Sequence, residues 1–239
     1  MSNFEGKNIL VIGGTSGVGK ALISNLLKTD ASLYVASRKE PEGDVLSKVN
    51  HIHLDVNEMS DELDALPSEL HGLVYCPGTI TLKPFQGLKE KDFQSDFDLN
   101  VLGAVRVLQA SLKKLRAAKG ASVVLFSTVA AQLGLNYHSS IAAAKGALEG
   151  LGKSLAAEFA SKKIRVNLVA PSLTDTPLAK NLLSSDDKKE ASDQRHPMGR
   201  YGQPEDIANM VAFLLSDNTS WVTGQVLHID GGLSSLKPL

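Results

Sequence analysis

Short apolar runs alternate along the chain with longer stretches whose apolar positions recur at helical spacing. Residues 9–12 are continuously apolar, as a strand buried on both faces of a parallel sheet requires. Val18, Ala21, Leu22, Leu26 and Leu27 then repeat with a helical period. Further strand-like runs fall at 32–36, 51–54, 73–76, 122–126, 164–169 and 225–229. Between them, Phe93, Phe97, Val101, Val105 and Leu108 stripe a long helix expected to end near Gly120. The Ala- and Gly-rich segment 141–159 predicts another helix, whose small residues (Ala142, Ala143, Gly146, Ala147, Gly150) permit close helix packing. Pro204-Glu205-Asp206 opens a last helix with proline in its first turn. This alternation predicts an α/β fold with a parallel sheet of about seven strands, doubly wound, with helices on both faces. A single domain over residues 1–239 is expected, with the polar stretch 172–200 as a substrate lid, since long connections in compact domains are usually functional.

The strongest local signal lies between the first strand and the first helix, where Gly13, Gly14, Gly17 and Gly19 crowd together. Strand, glycine turn and helix N-terminus form a phosphate site, because glycine admits positive φ and the helix start presents free N–H groups. Gly13-x-x-x-Gly17-x-Gly19 reads as a dinucleotide turn, whereas Gly14-x-x-x-x-Gly19-Lys20 reads as a P-loop. The P-loop lacks its last element, since Ala21 stands where a hydroxyl should hold Mg²⁺. The strand ending Leu125-Phe126-Ser127-Thr128 also offers no metal-binding acid. A dinucleotide turn predicts a ribose discriminator after the second strand, and the chain supplies Ser37-Arg38-Lys39 with no acid before Glu40. Basic groups there favour the 2′-phosphate of NADP over the 2′-hydroxyl of NAD.

Composition narrows the function classes. A hydrophobic fraction of 43%, a charged fraction of 21% and a formal net charge of −1 give no reason to expect nucleic-acid or membrane partners. One cysteine, Cys76, excludes an internal disulfide and suits a reducing compartment, so a soluble cytoplasmic protein is expected. The start of the chain, Met1-Ser2-Asn3-Phe4, shows no signal region. His51 and His53 share a strand face without a third ligand in view and read as structural, so no metal is expected.

The chain resembles the short-chain dehydrogenase/reductase family over most of its length, which implies a Rossmann-type fold. The resemblance rests on the glycine turn, Asp55-Val56, Asn100-Val101-x-Gly103, the run 164–167 before Pro171, Met198-Gly199-Arg200-x-Gly202-x-Pro204-Glu205-Asp206, and Thr223-Gly224-Gln225 with Asp230-Gly231-Gly232. It implies that NADP is held by Gly13, Thr15, Ser16, Gly17, Val18 and Gly19 in the turn, and by Ser37, Arg38, Lys39, Asp55 and Val56 at the adenosine end. Gly78, Lys145, Pro171, Thr174 and Thr176 complete the implied cofactor set. It also implies catalytic roles for Asn100, Thr128 and Lys145, and self-association as a dimer or tetramer. The family's Tyr-x-x-x-Lys, however, reads Ile141-Ala142-Ala143-Ala144-Lys145, its Asn-Asn-Ala-Gly reads Tyr75-Cys76-Pro77-Gly78, and its Pro-Gly reads Pro171-Ser172. Ile141 cannot donate a proton. Tyr137, one turn upstream if the helix extends that far, is the expected substitute; the family's enoyl-reductase branch places its Tyr seven residues before the Lys, against eight here. Ser139 and Ser140 fall where a helix N-cap is expected. The expected function is NADP-dependent hydride transfer to or from a small carbonyl or conjugated enone compound. The alternative is an NADP-binding sensor or structural subunit without catalysis.

Overall fold

In the computed structural model, which describes residues 4–237, seven strands form one sheet. Residues 1–3 and 238–239 of the expected domain lie outside the described residues. In chain order the strands are β1 (Asn8–Ile12), β2 (Ser32–Ser37), β3 (Asn50–His53), β4 (Gly72–Tyr75), β5 (Ala121–Phe126), β6 (Ile164–Pro171) and β7 (Val226–Ile229). The sheet order is β3-β2-β1-β4-β5-β6-β7, and every pairing is parallel. The order reverses between β1 and β4, and ligands of open α/β sheets bind outside the strand ends at such a point.

Continuous apolar runs suit this sheet because alternate side chains serve two separate cores. Leu10, Ile12, Leu73, Tyr75, Val123, Leu125, Val166 and Leu168 face one helical layer. That layer contains α3 (Gly103–Ala117) and α4 (Ser139–Phe159). Ile9, Val11, Val35, Val74, Val124 and Val169 face the other. It contains α1 (Gly17–Leu26) and α6 (Pro204–Leu215).

Three elements differ from the sequence-based expectation. The long helix is divided into α2 (Glu90–Phe97), a π-turn (Asp98–Leu102) and α3. Asn100 explains the break: its side-chain amide donates to the Asp96 carbonyl at 2.7 Å, and the Gly103 N–H reaches back to Asp98, an i→i−5 bond. The lid stretch is ordered in large part, with a 3₁₀ segment (Pro177–Leu183) and α5 (Asp186–Arg195). Ser185 caps α5 through its hydroxyl, with Asp186 and Asp187 in the first turn and Arg195 in the last. Most of the small residues of α4 expected to pack against a helix are left uncovered within the chain, though Ala143 borders α2. Nothing lies within 4 Å of where a Cβ would sit on Gly146 or Gly150, and Ala143 and Ala147 are also exposed. The tight approach is instead at Gly152, where an added Cβ would come within 2.6 Å of Leu168 on β6.

Candidate active site

The glycine turn runs from the end of β1 into α1. Gly13 and Gly17 have φ of +78° and +50°, which favour glycine. A Cβ on Gly19 would overlap the Gly13 carbonyl oxygen, so the turn closes only without a side chain there. Ser16 caps α1 without a side-chain bond, and the first turn holds no acid, which leaves its N–H groups facing outward for an anion. Lys20 is exposed and does not line the adjoining cleft, so the P-loop arrangement is absent.

This cleft has a volume of about 1140 Å³ and lies at the carboxyl ends of the strands. It exceeds the range of a drug-sized pocket, roughly 300–1,000 Å³, and accommodates a dinucleotide with a second molecule. All the residues of the expected cofactor set line it: Gly13 and Thr15 to Gly19 in the turn, Ser37 to Lys39, Asp55 and Val56, Gly78, Lys145, Pro171, Thr174 and Thr176. Thr176 closes over the turn, its side chain 3.2 Å from where a Cβ on Gly17 would be. At the far end the Arg38 guanidinium is exposed and only loosely tied to Asp55, at 4.0 Å. The Ser37 hydroxyl is already committed, donating to the Lys39 carbonyl at 2.6 Å with His51 Nε2 at 3.1 Å.

In the middle of the cleft Lys145 projects from α4 and is only 5% exposed. Its ammonium donates to the Phe126 carbonyl at 2.6 Å. Burial lowers its pKa to about 8 against the opposing pull of Asp96 and Cys76. The same burial pushes the Cys76 thiol up to about 12, with Lys145 opposing. A Cβ on Gly78 would sit 3.3 Å from Asn100 Oδ1 and 3.5 Å from Lys145 Nζ, so the missing side chain leaves both groups facing one gap. Asn100 is fully buried, its amide donates to Thr79 and to the Asp96 carbonyl, and its Oδ1 has no partner. Asn100 therefore stands behind the cleft and is not part of its lining.

Thr128 follows β5 and lines the cleft, where its hydroxyl accepts from the Ala130 N–H. Beside it Ser127 donates to the buried Glu149 carboxylate at 2.6 Å, which Gln132 also reaches at 2.9 Å. Ile141 is 5% exposed and forms an apolar stretch of the wall one turn before Lys145. Tyr137 is not brought to this place. Its φ of +69° puts it in a left-handed turn, α4 begins only at Ser139, and the side chain is 57% exposed and does not line the cleft, although Leu135 and His138 on either side do. The condition that the helix extend to Tyr137 is not met. Neither serine caps α4 with its hydroxyl; the cap position is His138, and Ser140 is instead turned inward.

Sequence reasoning passed over two groups. Asp96 is fully buried, and its carboxylate accepts from Thr79 and Thr81 through Oδ1 and from Ser140 through Oδ2, at 2.6–2.9 Å. An acid in a charged amphipathic helix gives no sign of such burial. His196 lies at the end of the lid, 4% exposed, on the wall of the cleft beside Ser172. Among the described residues no cluster of His, Cys, Asp or Glu is suited to a metal ion, and no helix is long and apolar enough to cross a membrane.

A parallel sheet with a glycine turn at its switch point and a buried lysine in the adjoining cleft defines a dinucleotide-dependent α/β class. The family model described as enoyl-(acyl carrier protein) reductase matches residues 13–234, and the chain belongs to the short-chain dehydrogenase/reductase family of NAD(P)-dependent oxidoreductases. It is similar to a tropinone reductase homolog of Arabidopsis thaliana, 33% identical over 247 residues that cover 97% of this chain and 94% of that one. It is also similar to the 3-oxoacyl-[acyl-carrier-protein] reductase FabG of Rickettsia conorii, 30% identical over 240 residues, covering 98% and 99% of the two chains. Among solved structures, a short-chain type dehydrogenase/reductase from Mycobacterium ulcerans superposes with a TM-score of 0.88 at 30% identity, covering 97% of this chain and 91% of that one. ElxO, solved with NADP bound, superposes with a TM-score of 0.87 at 27% identity over 99% and 100% of the two chains.

Proposed function

We propose that the chain is an NADP(H)-dependent oxidoreductase acting on a small carbonyl or conjugated enone compound, with a proton donor other than the family's tyrosine. The observation that carries this reading is Lys145: a buried cation in the cleft, pulled well below its ordinary pKa and facing the gap above Gly78. Burying an ammonium is costly, and such groups concentrate at functional sites. The fit to a dinucleotide rests on the open N–H groups of α1, the glycine turn and the length of the cleft. When bound, NADP(H) supplies or accepts the hydride. With the cofactor bound, the glycine turn would hold its pyrophosphate, Lys145 would be available to its ribose, and Thr128, at the end of β5 on the cleft wall, would be available to the substrate oxygen.

The preference for NADP over NAD rests on Arg38 and Lys39, exposed at the end of β2 and lining the cleft, with Arg38 weakly enough held to turn onto a 2′-phosphate. The protein with bound NADP described for ElxO supports this choice. NADPH is expected to bind at least tenfold more tightly than NADH, and the double change Arg38→Ala with Lys39→Ala to erase the difference in a fluorescence titration. Equal affinity of the unchanged protein for both would refute the preference.

The apolar Ile141 in the cleft wall favours one alternative, a binding protein that keeps NADP and has lost catalysis. NADPH oxidation with a panel of ketones, quinones and enones separates the two. Turnover that disappears in Lys145→Ala supports the enzyme, and tight NADPH binding with no turnover on any class supports the alternative. The proposal includes self-association through the exposed small-residue face of α4, which sedimentation equilibrium tests; a monomer would contradict it.

A further inference from the structure

We infer that Ser172, backed by His196, is the proton-exchanging hydroxyl of the substrate site; the inference rests on the oxidoreductase reading above. The two side chains meet across the lid, with Ser172 Oγ 2.9 Å from His196 Nε2. The other ring nitrogen, Nδ1, lies 2.7 Å from the Ser192 carbonyl, which can only accept. Nδ1 therefore carries a proton, and Nε2 of the neutral ring accepts from the Ser172 hydroxyl. The histidine is buried and the serine half-buried, and both line the cleft, so the pair borders the ligand space. A base held in one tautomer by a backbone carbonyl, with its second nitrogen on a hydroxyl, is the arrangement that activates a serine.

Position supports the same assignment. Phe126 of β5 pairs with Val169 of β6, and the Ser127 N–H donates to the Val169 carbonyl. Thr128 and Ser172 thus emerge at the ends of adjacent parallel strands, on the cleft that also holds Lys145. Three other candidates are less well placed: Tyr137 does not line the cleft, Asp96 is enclosed by three hydroxyls, and no basic nitrogen adjoins Thr128 among its hydrogen bonds. His138 also lines the cleft, with Nδ1 on the Asn136 carbonyl at 2.7 Å, but its ring is paired with no hydroxyl. Ser37 also meets a histidine, His51, but gives its proton to the Lys39 carbonyl at the opposite end of the cleft.

The step balances in both directions. In oxidation the alcohol proton passes to Ser172 Oγ as the serine's own proton passes to His196 Nε2, while the carbinol C–H bond breaks and its electron pair leaves with the hydride to oxidised cofactor. In reduction the carbonyl carbon gains the hydride pair that reduced cofactor loses. For this direction the ring must first take a proton from water at Nε2; the resulting oxyanion then takes the Ser172 proton, Nε2–H refills the serine, and the ring returns to its neutral form.

The test compares Ser172→Ala, Ser172→Thr and His196→Gln with the unchanged protein, in NADPH oxidation over the ketone, quinone and enone panel. Glutamine can hydrogen-bond to Ser172 but cannot carry the proton, so a structural role would survive it. Expected is a fall in kcat of about 10²-fold or more in Ser172→Ala and His196→Gln, the range for a lost general acid or base. KM, NADPH affinity and melting temperature should stay near the unchanged values, and Ser172→Thr should recover most of the rate. Turnover within about twofold of the unchanged protein in both variants, or a loss confined to KM, overturns the inference. Cofactor-free protein is also treated with a fluorophosphonate probe, where the Ser172 Oγ–P bond forms, the P–F bond breaks and the proton goes to Nε2. Labelling at Ser172 that His196→Gln abolishes supports the pair, and no labelling in a protein without turnover overturns it. A protein that binds NADPH and turns over nothing refutes the oxidoreductase reading itself, and labelling then decides the pair separately.

Discussion

Replacing Lys145 with methionine removes a buried ammonium while keeping an unbranched side chain of similar length. The structure allows the consequence to be worked out by linkage. Lys145 titrates at about 8 in the folded protein and at its ordinary 10.5 when unfolded. Between those values the unfolded chain binds more protons than the folded one, so the unfolding free energy rises with pH. Each pH unit is worth roughly 1.4 kcal/mol, which makes the full effect about 3 kcal/mol. Below pH 8 the side chain is charged in both states and burial carries its whole cost. The bond from Lys145 to the Phe126 carbonyl, lost in the variant, offsets part of that cost, which makes the sign of the stability change at one pH a poor guide. The pH dependence of the difference is decisive. Urea unfolding followed by circular dichroism from pH 7 to 10 should show the unchanged protein gaining about 2–3 kcal/mol relative to Lys145→Met. Tyr75 is raised by burial in both proteins, and Cys76, which Lys145 pulls down, rises further in the variant, so both groups stay protonated in either folded protein over this range and largely cancel. Parallel curves, or a difference that narrows in favour of the variant at alkaline pH, would show that Lys145 is not a buried cation with a lowered pKa.

Other outcomes follow from the packing around the cleft. Asp96→Asn puts an amide where three hydroxyls need an acceptor, and should cost about 1–3 kcal/mol in thermal or urea unfolding. In the same variant, loss of the negative charge that raises the Lys145 pKa should move the lysine titration further down, measurable by the same pH series. Gly19→Ala drives a Cβ into the Gly13 carbonyl, and should weaken NADPH binding more than tenfold in a titration because the turn must open. Unchanged affinity in Gly19→Ala would separate the turn from the cofactor site.

The sheet and the cofactor turn were legible in the sequence because each rests on a local rule. An apolar run such as residues 9–12 declares a doubly covered strand, and clustered glycines declare a backbone that no side chain permits. The helix break at Asn100 was not legible, since it depends on one side chain taking the Asp96 carbonyl from the main-chain ladder. Nor was the placement of Tyr137, which turns on a single left-handed residue that carries no glycine to announce it. Asp96 and His196 sit in polar segments whose burial is decided by α4 and by the segment after β6 packing against them, a tertiary outcome. The capping signals of α5, from Ser185 to Arg195, were present in the sequence but carried no apolar stripe to draw attention to them.

The state of Cys76 has a practical consequence. Burial holds the Cys76 thiol well above its usual range, which disfavours the thiolate that alkylating reagents and mild oxidants attack. Because it is the sole cysteine of the chain, a second one placed on exposed α5, for example Lys189→Cys, should react with alkylating reagents faster than Cys76. A fluorophore attached there would test whether this segment moves when NADPH is added, without first stripping the native cysteine from the fold.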